Sequence, residues 1–227
     1  MPSTTTRHSH EDALSDAEFE ELLNGAKVLK PMWNLEAMMY VLVGGRLGLR
    51  VGEIAHMTRE WVNFETGMIE IPSTDSCRKG EDGGPCGYCR RQARRQVATD
   101  PERDYQEVLE AYWQPKTDAG ARAVPFDHSE RITNILRAFF DRWVQTPVSV
   151  NTVRRRVYQA LEASTLPTSI HTYPHALRSS AAIHHAYNGL GVGPLQAMLG
   201  WEKLATADKY VRLSGGQTQR ALRDLYT

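Results

Sequence analysis

His175-Ala-Leu-Arg178 sets a titratable imidazole three positions from a guanidinium, a spacing that puts both on one face of a helix. Together they offer a proton carrier and a planar, bidentate donor. Downstream, Leu199-Gly200-Trp201 and Tyr210 supply an indole N–H and a phenol. On one unbroken helix, at about 100° per residue, Trp201 and Tyr210 would fall on opposite faces. Gly200 and the polar run Glu202–Thr206 instead predict a turn, with Tyr210 on a separate short helix. Such a set suits attack on a phosphodiester. Negative charge builds on the non-bridging oxygens, so fixed positive donors must face them. Guanidinium forks match that geometry. Arg178 can be one and Arg50, in Gly48-Leu49-Arg50-Val-Gly-Glu53, the other. Tyr210 is the candidate nucleophile. His175 is the candidate acid and base near neutral pH.

The elements that must position these groups are mostly helical. Ser15-Asp-Ala-Glu18 is a capping-box pattern opening a first helix to about Ala26. A second runs from about Asn34 to Gly48, and Val51–Met57 is a short third. Gly67–Ile71 reads as a strand ended by Pro72. Glu110–Gln114 and Arg122–Pro125 read as two strands of a hairpin with Lys116 at its turn. Ile132, Ile135, Leu136, Phe139, Phe140 and Trp143 form one apolar stripe at helical spacing. Asn151–Leu161 carries Val153, Val157 and Leu161 on one face, and Gln217–Tyr226 is a last amphipathic helix. Gly189–Gly193 follows a helix rather than a strand and lacks a downstream lysine. It therefore reads as a helix cap, not a phosphate loop. The fold class expected is mainly α with a small antiparallel sheet.

The order Arg50, Lys116, His175-x-x-Arg178, Trp201, Tyr210 resembles the catalytic domain of the tyrosine recombinases, the phage integrase family. The likeness runs from about Ser15 to Leu213. It implies a 3′-phosphotyrosine intermediate with release of a 5′ hydroxyl, and Lys116 as the proton donor to that leaving group. It implies that Trp201 stands where many relatives carry a histidine. No metal or nucleotide is needed for the chemistry, because the phosphotyrosine conserves the bond energy. The partners implied are double-stranded DNA and further copies of the chain, in a tetrameric synapse. The function expected is site-specific recombination: integration, excision or resolution. Two rivals share part of the pattern, a type IB topoisomerase and a DNA-binding accessory protein that no longer recombines. Each residue taken singly also has an ordinary role, as a cap, as an orienting group or surface ion pair (Glu53), or as a packing aromatic; joint order is what outweighs those roles. His171, His184 and His185 have no role in the motif and read as structural.

The 227 residues carry no net formal charge, yet the charge segregates. Met1–Asn24 holds six acids and one base, whereas Asn151–Thr227 holds nine Lys or Arg and four acids. No apolar run approaches the length of a membrane span and no secretory leader is present, so a cytoplasmic location is expected. Residues 1–13 read as a disordered leader and 14–227 as the catalytic domain. The N-terminal core-binding domain usual in the family is expected to be absent, unless this chain is part of a longer product.

An insertion at about 73–105 departs from the family pattern. Its Cys77, Cys86 and Cys89, the last two as Cys-Gly-Tyr-Cys, are candidate ligands of a structural zinc ion. No histidine lies near them in sequence, and His128 is the nominee for a fourth ligand. Free, redox-labile thiols are the alternative. Arg90, Arg91 and Arg94 flank the cysteines as candidate DNA contacts. Arg154, Arg155 and Arg156 are further candidates, but they span too wide an arc for all three to face DNA.

Overall fold

A computed structural model describes residues 11–110, 113–115 and 117–226. Helix α1 (Asp16–Lys27) starts at the expected capping box: the Glu18 N–H donates to Ser15 Oγ and the Ser15 N–H to Glu18 Oε2. Helix α2 (Trp33–Gly45) is apolar nearly all round and buried from Met39 to Gly45. It is the central element, as a helix hydrophobic on every side must be. Helix α3 (Val51–His56) follows, then an antiparallel sheet of β1 (Val62–Asn63), β2 (Met68–Ile71) and, much later, β3. The insertion between β2 and β3 contains α4 (Gly87–Thr99) and α5 (Tyr105–Glu110).

After β3 (Arg122–Pro125) come α6 (Glu130–Phe140), α7 (Val150–Glu162) and α8 (Pro174–Tyr187). The chain ends with α9 (Val192–Leu199), α10 (Leu204–Ser214) and α11 (Gly216–Tyr226). Helices α1, α6, α7 and α8 pack on α2. The predicted α6 stripe is the buried one, with Ile132, Leu136, Phe139 and Phe140 inside. A smaller apolar cluster joins Ala182 and Ala186 of α8, Leu195 and Leu199 of α9, and Ala207, Tyr210 and Val211 of α10. Pro174 at the start of α8 fits the first turn, where its missing N–H costs nothing.

The predicted lysine hairpin is not what pairs. β3 pairs with β2, in the register Ile69↔Val124, so two buried branched side chains face each other. Glu110 instead closes helix α5, whose Tyr105, Val108 and Leu109 recur at helical rather than alternating spacing. Trp113 makes an isolated bridge to Asp75. Lys116 lies outside the described residues. The leader expectation falls largely on residues 1–10, also outside them, but it extends too far: Tyr173 Oη donates to Asp12 Oδ2 at 2.9 Å. The insertion is not wholly a loop, since α4 occupies its second half and buries Cys89 and Ala93.

Candidate active site

Arg50, the N-cap residue of α3, is held by its own helix. Its N–H donates to Glu53 Oε2 at 2.7 Å, and its Nη1 donates to Glu53 Oε1 at 2.8 Å. Its Nη2 reaches 150 residues along the chain to the carbonyl of Gly200, at 2.7 Å. Glu53 is 1 % exposed, so its carboxylate needs paired cations. Arg122 on β3 supplies a bidentate one, with both Nη atoms 3.0 Å from the two carboxylate oxygens. Burial would raise the Glu53 pKa. Arg122 above all, then Arg178 and Arg50, outweigh that and hold it at about 2. Of the two roles expected of Glu53, the structure shows the orienting one: it is no surface ion pair but a buried carboxylate that holds Arg50 and Arg122.

Arg178 projects from α8 into the same cluster and is 4 % exposed. It donates through Nη1 to the carbonyl of Gly48 and through Nη2 to that of Leu199. Burial, then Arg50, push its pKa down to about 9, with Glu53 pulling the other way, so it stays cationic at neutral pH. Two glycines make these carbonyls available. Gly48 (φ +68°) and Gly200 (φ +58°) both adopt the left-handed backbone that side chains avoid. A Cβ on Gly200 would stand 2.4 Å from the Ala119 carbonyl oxygen. The motifs Gly48-Leu49-Arg50 and Leu199-Gly200-Trp201 thus interlock, each lending carbonyls to the arginines.

Trp201 follows the left-handed cap of α9, and Tyr210 rides the separate helix α10, as the sequence predicts. Their rings stack at 5.0 Å between centroids and 13° between planes. The Arg178 guanidinium lies 5.8 Å from the Trp201 ring. Tyr210 is buried, with its hydroxyl 3.1 Å from Ser179 Oγ. His175 is exposed one turn before Arg178. Arg50, His175, Arg178 and Trp201 line one open cleft of about 440 Å³, together with Arg154, Thr117, Tyr88 and Trp113.

Several expected contacts resolve differently. Arg154 faces this cleft and Arg155 is exposed, but Arg156 is buried and cannot meet DNA. Its Nε donates to the buried Glu36 of α2 at 2.7 Å, and its guanidinium lies over Trp33. The residues Val153, Arg156, Val157 and Ala160 form the inward stripe of α7, which is the signal that placed it inside. Arg90 is engaged within the insertion, donating to Asp82 Oδ2 at 2.5 Å and to the Pro85 carbonyl at 2.8 Å. Arg91 and Arg94 are exposed on α4.

The fourth partner of the cysteines is not His128, which packs beside His185 near α8. It is His56, the last residue of α3: its Nε2 lies 3.5 Å from Cys86 Sγ and 3.3 Å from Cys89 Sγ. Among the described residues, His56, Cys77, Cys86 and Cys89 are a set able to hold a metal ion. No helix in the described residues is long and apolar enough to cross a membrane.

Comparison with known proteins gives the family and the fold. Residues 12–216 match the model of the phage integrase family. Over 80 residues the chain is 36 % identical to tyrosine recombinase XerC of Halalkalibacterium halodurans, a stretch covering 35 % of this chain and 24 % of that protein. The crystal structure of XerA recombinase superposes with a TM-score of 0.59 at 19 % identity, covering 94 % of this chain and 63 % of that one. The Tn1549 transposon integrase, in complex with circular intermediate DNA, superposes at 0.62 and 18 % identity, covering 98 % of this chain and 69 % of that one. This chain therefore spans less than two thirds of the XerA chain and matches about a quarter of XerC. The fold is that of these recombinases, and with a family match over nine tenths of its length, the chain belongs to the phage integrase family.

Proposed function

We propose that the protein is a site-specific DNA recombinase that breaks and rejoins strands through a 3′-phosphotyrosine intermediate. The observation that carries this reading is the cleft itself: the guanidiniums of Arg50, Arg154 and Arg178, an imidazole and an indole line it, with Tyr210 stacked on the indole. Arg50 and Arg178 each have five N–H groups and use two of them in anchoring bonds, which leaves donors for the non-bridging oxygens of a phosphodiester. Tyr210 Oη attacks phosphorus and the 5′ oxygen leaves, so one P–O bond forms as another breaks. His175 takes or returns a proton within the cleft, Lys116 protonates the leaving oxygen, and Trp201 donates its indole N–H to the phosphate. Rejoining is the reverse transesterification, with another strand's 5′ hydroxyl as the attacking group.

Attack requires the Tyr210 hydroxyl to leave Ser179 and turn toward the cleft, a movement that the separate helix α10 permits. The partners that follow are double-stranded DNA, held partly by Arg154, Arg155, Arg91 and Arg94, and other copies of the chain in a tetrameric synapse. The transesterifications need no metal, so an ion at His56 and the cysteines would be structural.

A pool of nicked duplexes of random sequence tests the reading, because a nick beside the cleaved phosphate traps the covalent adduct. Wild type is expected to give protein–DNA adducts that survive denaturation, and Tyr210→Phe none. Absence of adduct from wild type would refute the proposal. Adducts accompanied by supercoil relaxation, with no strand exchange on the selected sequence, would turn the reading toward a topoisomerase.

A further inference from the structure

We propose that His56, Cys77, Cys86 and Cys89 bind one zinc ion, and that this ion fastens the insertion to α3 behind the catalytic cleft. The four ligand atoms lie within 4.8 Å of one another. Tetrahedral zinc, with Zn–S about 2.3 Å and Zn–N about 2.0 Å, requires ligand atoms about 3.5–3.8 Å apart. Cys86 Sγ and Cys89 Sγ are 3.8 Å apart, and His56 Nε2 is 3.5 and 3.3 Å from them. Sulfurs at that separation are thiols, not a disulfide, whose bond is about 2.05 Å.

The surroundings are those of a ligand set rather than of chance neighbours. His56 Nδ1 lies 2.8 Å from the Gly52 carbonyl oxygen, which can only accept. A ring proton is therefore on Nδ1, which leaves Nε2, the nitrogen facing the thiols, as the one positioned to bind a metal, the usual orientation of a metal-bound histidine. The Cys86 N–H donates to Cys77 Sγ at 3.4 Å, which favours a thiolate there. Three thiolates and a neutral imidazole on Zn²⁺ carry a net charge of −1. Lys79 supplies nearby positive charge, its ammonium fixed by the carbonyls of Ala55 and Val148. Four protein ligands complete a tetrahedron and leave no open position, which makes the ion structural.

The ligands come from two segments, His56 at the end of α3 and the three cysteines from the insertion. Tyr88, inside the Cys-Gly-Tyr-Cys knuckle, sits over Gly52, where an added Cβ would meet its hydroxyl at 2.9 Å. Trp113 stacks on the His56 ring at 5.5 Å. Tyr88 and Trp113 are also walls of the cleft lined by Arg50, His175 and Arg178. An ion on His56 therefore fixes one wall of that cleft. The significance for DNA rests on the recombinase reading; the ion itself does not.

Elemental analysis of the full chain, purified without chelator, is expected to give about one zinc per chain. Cobalt substitution is expected to give the intense visible bands of a tetrahedral thiolate site. His56→Ala and Cys86→Ser should each lose stoichiometric zinc. Should a variant fail to fold, the wild-type chain stripped with a chelator and reloaded with zinc carries the test. Hydrogen exchange at 77–99 and across α3 should rise on stripping and fall on reloading. Folded wild type without zinc, a Cys86–Cys89 disulfide in protein prepared without air, or zinc removal that leaves exchange unchanged would each overturn the proposal. None of these readouts uses DNA, so failure here is separable from failure of the recombinase reading.

Discussion

At the first turn of α3 three guanidiniums close on one carboxylate; at its last residue three thiols close on one imidazole. Both clusters sit on this one six-residue helix, with Glu53 and His56 only three positions apart. Arg50, Arg122 and Arg178 against Glu53 leave a net charge of +2 (three minus one), almost wholly buried behind a cleft. That excess positive charge suits a phosphodiester, an anion of matching shape. His56 and the cysteines instead offer three sulfurs and one imidazole nitrogen, a set that suits a soft cation.

Experiments that unbalance one end of α3 should leave the other intact, and the expected effects descend in size. Beyond the total loss of adduct in Tyr210→Phe, Glu53→Gln should be the most damaging. It leaves three buried or half-buried cations without a counter-charge, at a cost of roughly 3–5 kcal/mol. Urea titration measures this, and zinc stoichiometry should not change. Acid should act through the same carboxylate. Its pKa is about 2 when folded against the ordinary 4.5, so its contribution is complete above about pH 4.5 and is lost as pH falls toward 2. The loss amounts to about 3 kcal/mol at most. Stability followed from pH 6 to pH 2 should show that slope in wild type and much less of it in Glu53→Gln. Equal slopes in both would remove Glu53 from the account.

Gly200→Ala should cost roughly 1–3 kcal/mol, because alanine resists the left-handed backbone and meets the Ala119 carbonyl. The Gly200 carbonyl also holds Arg50, so cleavage should slow along with the fall in melting temperature. Arg154→Ala is the mildest. It should leave stability unchanged and reduce the slope of log binding constant against log salt by about 1, the signature of one lost phosphate contact. Arg156→Ala is its counterpart, lowering stability by leaving Glu36 unpaired, with the salt slope unaffected.

Much of the site is legible before folding. Ser15 and Glu18 announce α1 because capping is local. The Gly200 turn and the helix carrying Tyr210 follow from spacing alone. Arg50, His175, Arg178 and Trp201 can be assigned from motif order, and they do line one cleft. Harder to read is which charge faces which. Arg122 stands at the start of a predicted strand with nothing local to mark its role, since its partner Glu53 is 69 positions away. Arg156 looks like its two neighbours until its place in the Val153–Ala160 stripe is matched to Glu36, 120 positions away. Lys116 is assigned by motif order alone, and the hairpin proposed to carry it gave way to the pairing of β3 with β2.

By itself the sequence determined most of the helices, α4 and α5 excepted, and the order of the groups proposed to bind phosphate and to attack it, because caps, periodicity and motif spacing are short-range properties of the chain. Only the tertiary structure decided that Glu53 anchors Arg50 and Arg122 beside Arg178, that Arg156 belongs to the core, and that His56 rather than His128 stands beside the cysteines. Those outcomes depend on contacts between segments 20 to 130 residues apart. No local pattern encodes such contacts; they form when α2, α3, α7 and α8 pack, and burial then obliges each charge to find its partner.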